Sequence, residues 1–390
     1  MYREHYSRFL ATDPERLHFA AHSHHLWPDV TRAAQIQYWD DSARLIDDKW
    51  SYIFSEIIPQ AQRSIAEILD LSSPQNIAFA PATHDFVVRI LSNFDQGKPL
   101  RVLTTDSEFY SFARQISRYE ELPAVMVTRI SLQPFEDFEE RFIDAATKGE
   151  FELIYVSHVF FNSSYYFRGI EKLIAALKSN DTIIVIDGYH SFMALPVSLR
   201  KIEKRVFYTA GGYKYAQSGE AVCFLHCPPG YLSRPLNTGW FATFGSLESR
   251  PAQSSKETPF SLDGFRFFGG TFDPVGVYRF NAVAKWMRDN NFSVAAFDSY
   301  IKELQQYFLC KLEEGSILRR GELLLHSLER HGHFFAFNTP RAKQLKEALH
   351  AKKVITDLRG DIIRFGFGIY QSKAEIDLLF ERARDLRGVG

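Results

Sequence analysis

The spacing of hydrophobic and polar residues changes twice along the chain. Residues 31–70 place apolar side chains at helical spacing, with Pro59 near the start of the second helical segment. From residue 76 onward, short apolar runs alternate with helical stretches. From about residue 275, long helical patterns return, mixed with two strand patterns. The chain therefore divides into three stretches of different structural type.

The central stretch predicts seven strands. They are expected at residues 76–82, 100–105, 124–130, 151–157, 181–187, 205–210 and 221–226, with helices at 85–94 and 170–180 among those between them. Strands that alternate with helices are typical of an α/β domain whose sheet is mostly parallel.

The C-terminal stretch predicts a smaller α+β domain. Helical patterns cover 274–290, 299–315 and 373–386, and strand patterns cover 331–339 and 361–370. A chain of 390 residues is too long for one compact core. We expect an N-terminal arm with helices at 1–54 that packs with the small domain, a large domain at 55–272 and the small C-terminal domain at 273–390.

Composition excludes several classes of protein. Lys and Arg number 46 against 47 Asp and Glu, and no basic stripe suggests a nucleic-acid partner. No apolar run is long enough to span a membrane, and the N-terminus lacks the apolar core of a signal peptide. Three cysteines do not make a disulfide framework. We expect a cytoplasmic protein with neither a nucleic-acid nor a membrane partner.

Asp187 ends the apolar run "IIVID". A carboxylate at the end of a buried strand is costly unless a cation or a protonated donor meets it. It could cap the next helix, or it could face a positively charged ring nitrogen. His190, three residues on, could share the same site.

Lys214 lies 27 positions later, between two tyrosines and after two glycines. Most lysines are solvated, and a turn lysine is the ordinary interpretation. The alternative is a lysine that forms a Schiff base, because such an amine must be partly desolvated to act as a nucleophile. An acid opposite a pyridinium nitrogen together with a Schiff-base lysine is what pyridoxal 5′-phosphate (PLP) requires.

A phosphate site is the third element that PLP needs. "PATHDF" places Thr83 at the expected N-terminus of a helix, where backbone N–H groups and a hydroxyl suit a phosphate. A plain threonine N-cap explains the same pattern equally well.

Five segments carry a resemblance to a known family. They are "DGYHS" (187–191), "GYKYAQSG" (212–219), "GWF" (239–241), "GFRFFGGT" (264–271) and "IIRFGF" (362–367). The chain resembles fold-type I PLP enzymes of the class V aminotransferase group, and within it kynureninase. The resemblance implies a large PLP-binding domain with a seven-stranded, mostly parallel sheet, and a smaller α+β domain.

The resemblance also implies a role for each matching residue. Lys214 would form the Schiff base and move protons, with Asp187 at the pyridine nitrogen and His190 beside it. The remaining cofactor contacts would be Thr83, the backbone of His84, Phe109 stacked on the ring, Ser111 and Tyr213, together with Trp240 and Thr271 from the partner of a homodimer. Arg364 would hold the carboxylate of an amino-acid substrate as a bidentate fork.

Two segments depart from the family pattern. Gly211 stands where many relatives have a hydroxyl residue. "AHSHHLWP" (21–28) lies where kynureninases carry a different substrate segment, so His22 and His24 are candidate substrate-binding residues. No cysteine or carboxylate completes a metal-ligand set at typical spacing there, and we predict no metal.

The sequence leaves the reaction open. The resemblance favours kynureninase-like hydrolytic cleavage of a Cβ–Cγ bond in an amino acid. The alternative is a class V aminotransferase, or a cysteine desulfurase-like lyase, although no cysteine lies in a mobile loop of the C-terminal half. A catalytically inactive binding protein is a third reading. The sequence contains no Gly-x-Ser-x-Gly elbow, which would indicate a hydrolase of another fold. It also contains no Gly-x-Gly-x-x-Gly loop after the first strand, which would indicate a dinucleotide-binding enzyme.

Overall fold

The computed structural model describes residues 2–246, 258–312 and 317–388. Its strands are β1 (Leu17–His18), β2 (Ile77–Ala80), β3 (Leu100–Thr105), β4 (Val125–Ile130), β5 (Leu153–Ser157), β6 (Ile183–Asp187), β7 (Val206–Gly211), β8 (Cys223–His226), β9 (Phe334–Asn338), β10 (Val354–Ile355), β11 (Asp357–Arg359) and β12 (Ile362–Gly366). All seven strands expected in the central stretch are present, with ends that differ by at most two residues.

β2 to β8 form one sheet in the order β2-β8-β7-β6-β5-β3-β4. β8 runs antiparallel to both of its neighbours, and every other neighbouring pair is parallel. β5, β6, β7 and β8 are buried along their whole length, as expected of strands covered by helices on both faces. The predicted α/β class with a mostly parallel sheet is confirmed.

The α-helices are α1 (Ser7–Ala11), α2 (Val30–Leu45), α3 (Lys49–Tyr52), α4 (Ile58–Leu69), α5 (Thr83–Leu91), α6 (Tyr110–Tyr119), α7 (Phe138–Lys148), α8 (Ile170–Ala176), α9 (Val275–Asp289), α10 (Val294–Lys311), α11 (Ala342–Ala351) and α12 (Lys373–Arg382). The predicted helical region 31–70 is broken at Ile46, whose φ is +50°, and contains a π-helical turn at Ile53–Ile57. α10 begins five residues before its predicted start, and its predicted end at 315 lies outside the described residues.

The second sheet is antiparallel, with order β11-β12-β9. The N-terminal segment joins this part of the chain, because β1 pairs with β10 and Ala20 forms a β-bridge with Gly366. α2 also packs along α9. The expected division into three domains, with residues 1–54 packed on the small domain, stays a prediction.

The core that carries the site is mostly apolar inside the large sheet. Ile184 in β6 is fully buried, whereas Met126 in the edge strand β4 is 51% exposed. We expect Ile184→Ala to lower the free energy of unfolding by about 2–5 kcal/mol, because it leaves a cavity between packed layers. Met126→Ala is the matched control and should stay within about 0.5 kcal/mol of wild type. Urea unfolding followed by circular dichroism measures both, and equal losses would contradict this packing.

Candidate active site

Asp187 is the last residue of β6, at the carboxyl end of the parallel strands. Its Oδ2 accepts a hydrogen bond from the Tyr155 hydroxyl at 3.2 Å, and its Oδ1 accepts one from the Tyr189 N–H at 2.9 Å. Both donors are neutral. Burial raises the pKa of Asp187, although the two hydrogen bonds and Lys214 act in the opposite direction. The carboxyl group is therefore held in place without a direct cationic partner among the described residues.

Lys214 lies in the turn after β7, which is the neighbour of β6, and only 5% of it is exposed. Its Nζ is 2.6 Å from Nε2 of His190. The rings of Phe109, Tyr189 and Tyr213 surround the amine, with centroids 5.3, 4.8 and 5.8 Å from Nζ. Burial lowers the pKa of Lys214 to about 7, so a large share of the amine is neutral near neutral pH.

Two glycines let the chain close around this lysine. A Cβ on Gly211 would lie 2.2 Å from the Tyr189 hydroxyl, and one on Gly212 would lie 2.5 Å from the carbonyl oxygen of Gly219. A hydroxyl side chain at position 211, as in many relatives, does not fit between β7 and Tyr189. Gly211 is thus required by packing in this protein.

A cavity of about 210 Å³ opens in front of Lys214. Seven predicted site residues line it together: Thr83, Phe109, Ser111, Asp187, His190, Tyr213 and Lys214. The structure therefore brings the main sequence-predicted cluster into one place, although no contact in it tests their individual roles.

The other predicted cofactor residues lie outside this cavity. His84 is exposed in the first turn of α5. Trp240 is 42% exposed and its Nε1 donates to Oγ1 of Thr271 at 2.9 Å. Trp240 and Thr271 thus form one exposed pair, and their contact with a partner subunit stays a prediction.

The predicted substrate residues fall into two environments. Arg364, on β12, is buried and donates to a carboxylate oxygen of Asp357 and to the carbonyl oxygen of Phe161. His22 is fully buried, with its ring stacked on Phe334 at 4.5 Å. His24 is largely exposed and its ring stacks on Tyr213 at 5.2 Å. The guanidinium of Arg364, which was predicted to hold a substrate carboxylate, therefore already binds the carboxylate of Asp357.

Sequence reasoning missed the buried acid Glu108. Its carboxylate accepts hydrogen bonds from the hydroxyls of Thr105 and Ser157, at 2.7 and 2.5 Å, and from the Ser157 N–H at 3.2 Å. Burial raises its pKa to about 8, and the nearby Asp187 contributes to the rise. The signal was an acid inside "DSEFYS" directly after a buried strand, the same pattern that identified Asp187.

Tyr189, Cys223 and Asp357 were also missed as site residues. The Tyr189 hydroxyl lies 3.5 Å from Cys223 Sγ, and both residues line the cavity. Burial raises the pKa of the Cys223 thiol to about 11. Tyr189 stands inside the recognised "DGYHS" segment, whereas no local pattern sets Asp357 apart from a turn residue.

The N-terminal segment holds the loop that carries Lys214. The His25 N–H donates to the Tyr213 carbonyl oxygen at 3.0 Å, and the Tyr6 hydroxyl donates to the side-chain carbonyl of Gln217. From α9, Arg279 donates to the carbonyl oxygens of Ser218 and Glu220 at 2.6 and 2.7 Å. The lysine turn is therefore fixed on both sides by segments distant in sequence.

The sequence pattern of the aminotransferase class-V family matches residues 19–379. The chain belongs to this family, whose cofactor is PLP, and its large sheet with the flanking helices is the fold-type I architecture of PLP enzymes. A search of the curated proteins finds no match. The resemblance to kynureninase in particular stays a prediction.

Solved structures show the same fold at low identity. C-DES, a cystine C–S lyase solved with glycine covalently linked to its PLP cofactor, matches with a TM-score of 0.81 at 15% identity, over 100% of this chain and 99% of that chain. A cysteine desulfurase from Thermococcus onnurineus NA1 matches at 0.79 and 16%, over 96% and 95%. Cysteine desulfurase CsdA from Escherichia coli matches at 0.75 and 12%, over 98% of each chain.

The residues present fit this cofactor. A desolvated primary amine faces the cavity, as attack on an aldehyde requires. The buried carboxyl of Asp187 has only neutral hydrogen-bond donors, so a protonated ring nitrogen would supply the cation that it lacks.

The burial of Lys214 has a measurable consequence in the apoprotein. Its pKa is about 7 in the folded state against 10.5 ordinarily, so between these values the unfolded state binds more protons. Stability contributed at this site therefore rises with pH across that window. We expect the unfolding free energy of wild type, relative to Lys214→Met, to rise by about 1 kcal/mol per pH unit above pH 7.

The measurement is urea unfolding at several pH values, with Lys172→Met as control because Lys172 is exposed on α8. The control should follow the wild-type profile. A wild-type minus Lys214→Met difference that does not change with pH would show that the amine is solvated.

Proposed function

We propose that this protein is a PLP-dependent enzyme that acts on an amino acid as a transferase or lyase. The observation that supports the proposal best is the amine of Lys214, which is buried within 2.6 Å of His190 in the turn that follows β7, the strand next to that of Asp187. A binding protein without catalysis has no physical need for a desolvated lysine, which costs folding free energy. Family membership supports the same conclusion.

Each residue at the cavity then has a role. PLP, when bound, supplies an electron sink for the bond that breaks at Cα of the substrate. Asp187 keeps the ring nitrogen protonated, because a buried carboxylate favours a cation at its oxygens. Lys214 holds the cofactor and then serves as the base at Cα, since an amine whose pKa is near 7 can both accept and return a proton. His190, whose pKa burial and Lys214 lower well below the ordinary value, orients that amine as a neutral partner.

The phosphate end is proposed to lie near the start of α5. Thr83, the backbone N–H of His84, Ser111 and Tyr213 are the candidate donors, and the helix N-terminus favours an anion. Phe109, whose ring centroid is 5.3 Å from Nζ of Lys214, is the candidate to stack on the cofactor ring. In a homodimer, the exposed Trp240–Thr271 pair would reach the site of the partner subunit.

The substrate is proposed to be an amino acid whose carboxylate binds Arg364, with His22 on the same side because both contact Phe334. His24, which stacks on Tyr213, is the other candidate substrate residue. Structural likeness to a cystine C–S lyase and to cysteine desulfurases supports sulfur-containing amino acids as the first candidates. Kynureninase-like hydrolysis is the second candidate, and it rests on the sequence resemblance.

The cysteines argue against storage of sulfur on this chain. Cys223 and Cys227 are buried, and burial raises the pKa of their thiols to about 11 and about 12. Cys310 is exposed on α10 and does not line the cavity. A reaction on cysteine or cystine would therefore release its sulfur product instead of passing it to a thiolate of the protein.

The test of the cofactor site is reductive trapping. The protein is incubated with PLP, reduced with borohydride and digested, and the pyridoxyl group is located by mass spectrometry. We expect the label on Lys214 and a visible absorption band before reduction, both absent in Lys214→Ala. Labelling of exposed lysines such as Lys172 with none on Lys214 would refute the proposal.

The test of the reaction class is a product panel on the PLP-loaded protein. L-cysteine, L-cystine, L-kynurenine and common amino acids are each incubated with wild type and Lys214→Ala, and sulfide, persulfide, anthranilate, alanine and keto acids are measured. We expect turnover of a sulfur amino acid or formation of a keto acid. Asp187→Asn should reduce kcat by about 100-fold or more, because the ring proton is no longer held. Anthranilate as the only product would favour kynureninase-like hydrolysis instead.

A further inference from the structure

Three buried nitrogen-bearing side chains beside the cavity carry unsatisfied polar atoms. Nε of Arg364, both ring nitrogens of His22 and Nδ1 of His190 have no hydrogen-bond partner among the described residues. The rings of His22 and His190 lie 6.5 Å apart, and the Arg364 guanidinium lies over Phe334, the residue on which His22 stacks. Buried groups of this kind are costly, so a cluster of them requires an explanation.

Asp357 connects two members of this cluster. Its Oδ2 accepts from Nη2 of Arg364, and the same oxygen is 3.6 Å from Nε2 of His22. A separation of 3.6 Å is too long for a hydrogen bond, but a shift of about 1 Å would make one. Asp357 lies on the short edge strand β11, and its other oxygen pairs with Arg359 at 3.0 Å. A small movement of one carboxylate would therefore change its partner from Arg364 to His22.

The donor geometry of Arg364 makes that exchange relevant to ligand binding. Nη1 donates to the Phe161 carbonyl oxygen and Nη2 to Asp357, whereas Nε is free. A bidentate carboxylate on the Nε–Nη2 edge must remove Asp357 from Nη2. Two carboxylates at one buried guanidinium repel each other unless a further positive charge is present.

We propose that Asp357 is a displaceable carboxylate: it holds Arg364 until a substrate carboxylate replaces it, and it then pairs with His22, which takes up one proton from solvent. The inference rests on the proposed function, because it assigns the substrate carboxylate to Arg364. Charge is balanced on both sides of the exchange. The resting pair Arg364–Asp357 becomes two pairs, Arg364 with the substrate carboxylate and protonated His22 with Asp357.

The groups that face His22 support the direction of the proton uptake. Arg364 and Asp357 face it from the β11–β12 hairpin, His190 from the loop after β6 and Lys214 from the lysine turn. Burial, Arg364 and Lys214 lower the pKa of His22 to about 3, so the resting imidazole is neutral. A carboxylate bound at Arg364 offsets one of these positive charges, and the closer Asp357 raises the pKa of His22.

Packing holds His22 ready for this role. A Cβ on Gly366 would lie 2.1 Å from Nδ1 of His22, so only glycine at that position admits the ring. The Gly366 N–H donates to the Phe19 carbonyl oxygen at 2.7 Å, which fixes the N-terminal segment against β12. His22 is thus held close to the carboxylate of Asp357, which it can reach by a small shift.

The experiment is calorimetric titration of the PLP-loaded protein with propionate, a carboxylate that lacks the amine of a substrate. Titrations in two buffers of different ionisation enthalpy give the number of protons taken up. We expect wild type to take up about one proton per propionate, and its affinity to fall about tenfold per pH unit between about pH 5 and 7, where a histidine paired with a carboxylate becomes protonated.

Three variants separate the proposal from a structural role of the pair. Asp357→Asn should bind propionate about tenfold more tightly with no proton uptake, because the competing charge is gone. His22→Asn should bind it more weakly and also without proton uptake. Asp361→Asn, which removes an exposed charge from the same hairpin, should behave as wild type.

Weaker or unchanged binding by folded Asp357→Asn would overturn the proposal, as would wild type that binds no propionate or takes up no proton. If Asp357→Asn does not fold, the His22→Asn variant tests the proposal instead. Proton uptake that persists in His22→Asn would show that Asp357 does not move from Arg364 to a protonated His22. Failure of the proposed function would be recognised separately. The protein would then show no visible absorption band with PLP and no pyridoxyl label on Lys214, whether or not it binds propionate.

Discussion

The site depends on keeping the amine of Lys214 out of water. A lysine that is 5% exposed, beside a neutral histidine and three aromatic rings, loses hydration that no direct ion pair with a described residue replaces. That loss lowers its pKa to about 7 and makes the amine a nucleophile and base near neutral pH. Three features hold the amine in this position: the glycines before Lys214, the tyrosines beside it, and the register of β6 against β7.

This desolvation is maintained by segments that are far apart in the sequence. The N-terminal arm donates hydrogen bonds to Tyr213 and Gln217, and α9 supplies Arg279 to the other side of the same turn. The arm in turn is fixed by β1 pairing with β10 and by the bridge to Gly366. The amine, the candidate carboxylate fork and His22 therefore belong to one connected structure, and a change in any of these supports alters the electrostatics of Lys214.

The position of charge within the site bears on the reaction. Asp187, which lines the cavity, and the nearby Glu108 are two buried acids, both with pKa values raised by burial. Arg364, Asp357 and His22 form a separate charged group beyond Phe161 and Phe334. The first group suits the chemistry common to the class V family. The second contains His22, from the segment that departs from the family pattern, and we propose it as the part of the site that selects a substrate.

The sequence by itself determined the elements and the central chemistry. All seven strands of the large sheet follow from short apolar runs that alternate with helical stretches. Asp187 was recognised as a carboxylate at the end of such a run, where burial of a charge is unfavourable, and Lys214 by the two glycines and two tyrosines around it. Only the tertiary structure decided the rest. Asp357 is an ordinary turn residue until strand pairing places it opposite Arg364, and Glu108 gains its contact with the distant Ser157 only when β5 lies beside β3. Whether a charged side chain has an ion-pair or hydrogen-bond partner depends on contacts between segments that are distant in the sequence. A local sequence pattern cannot predict such contacts.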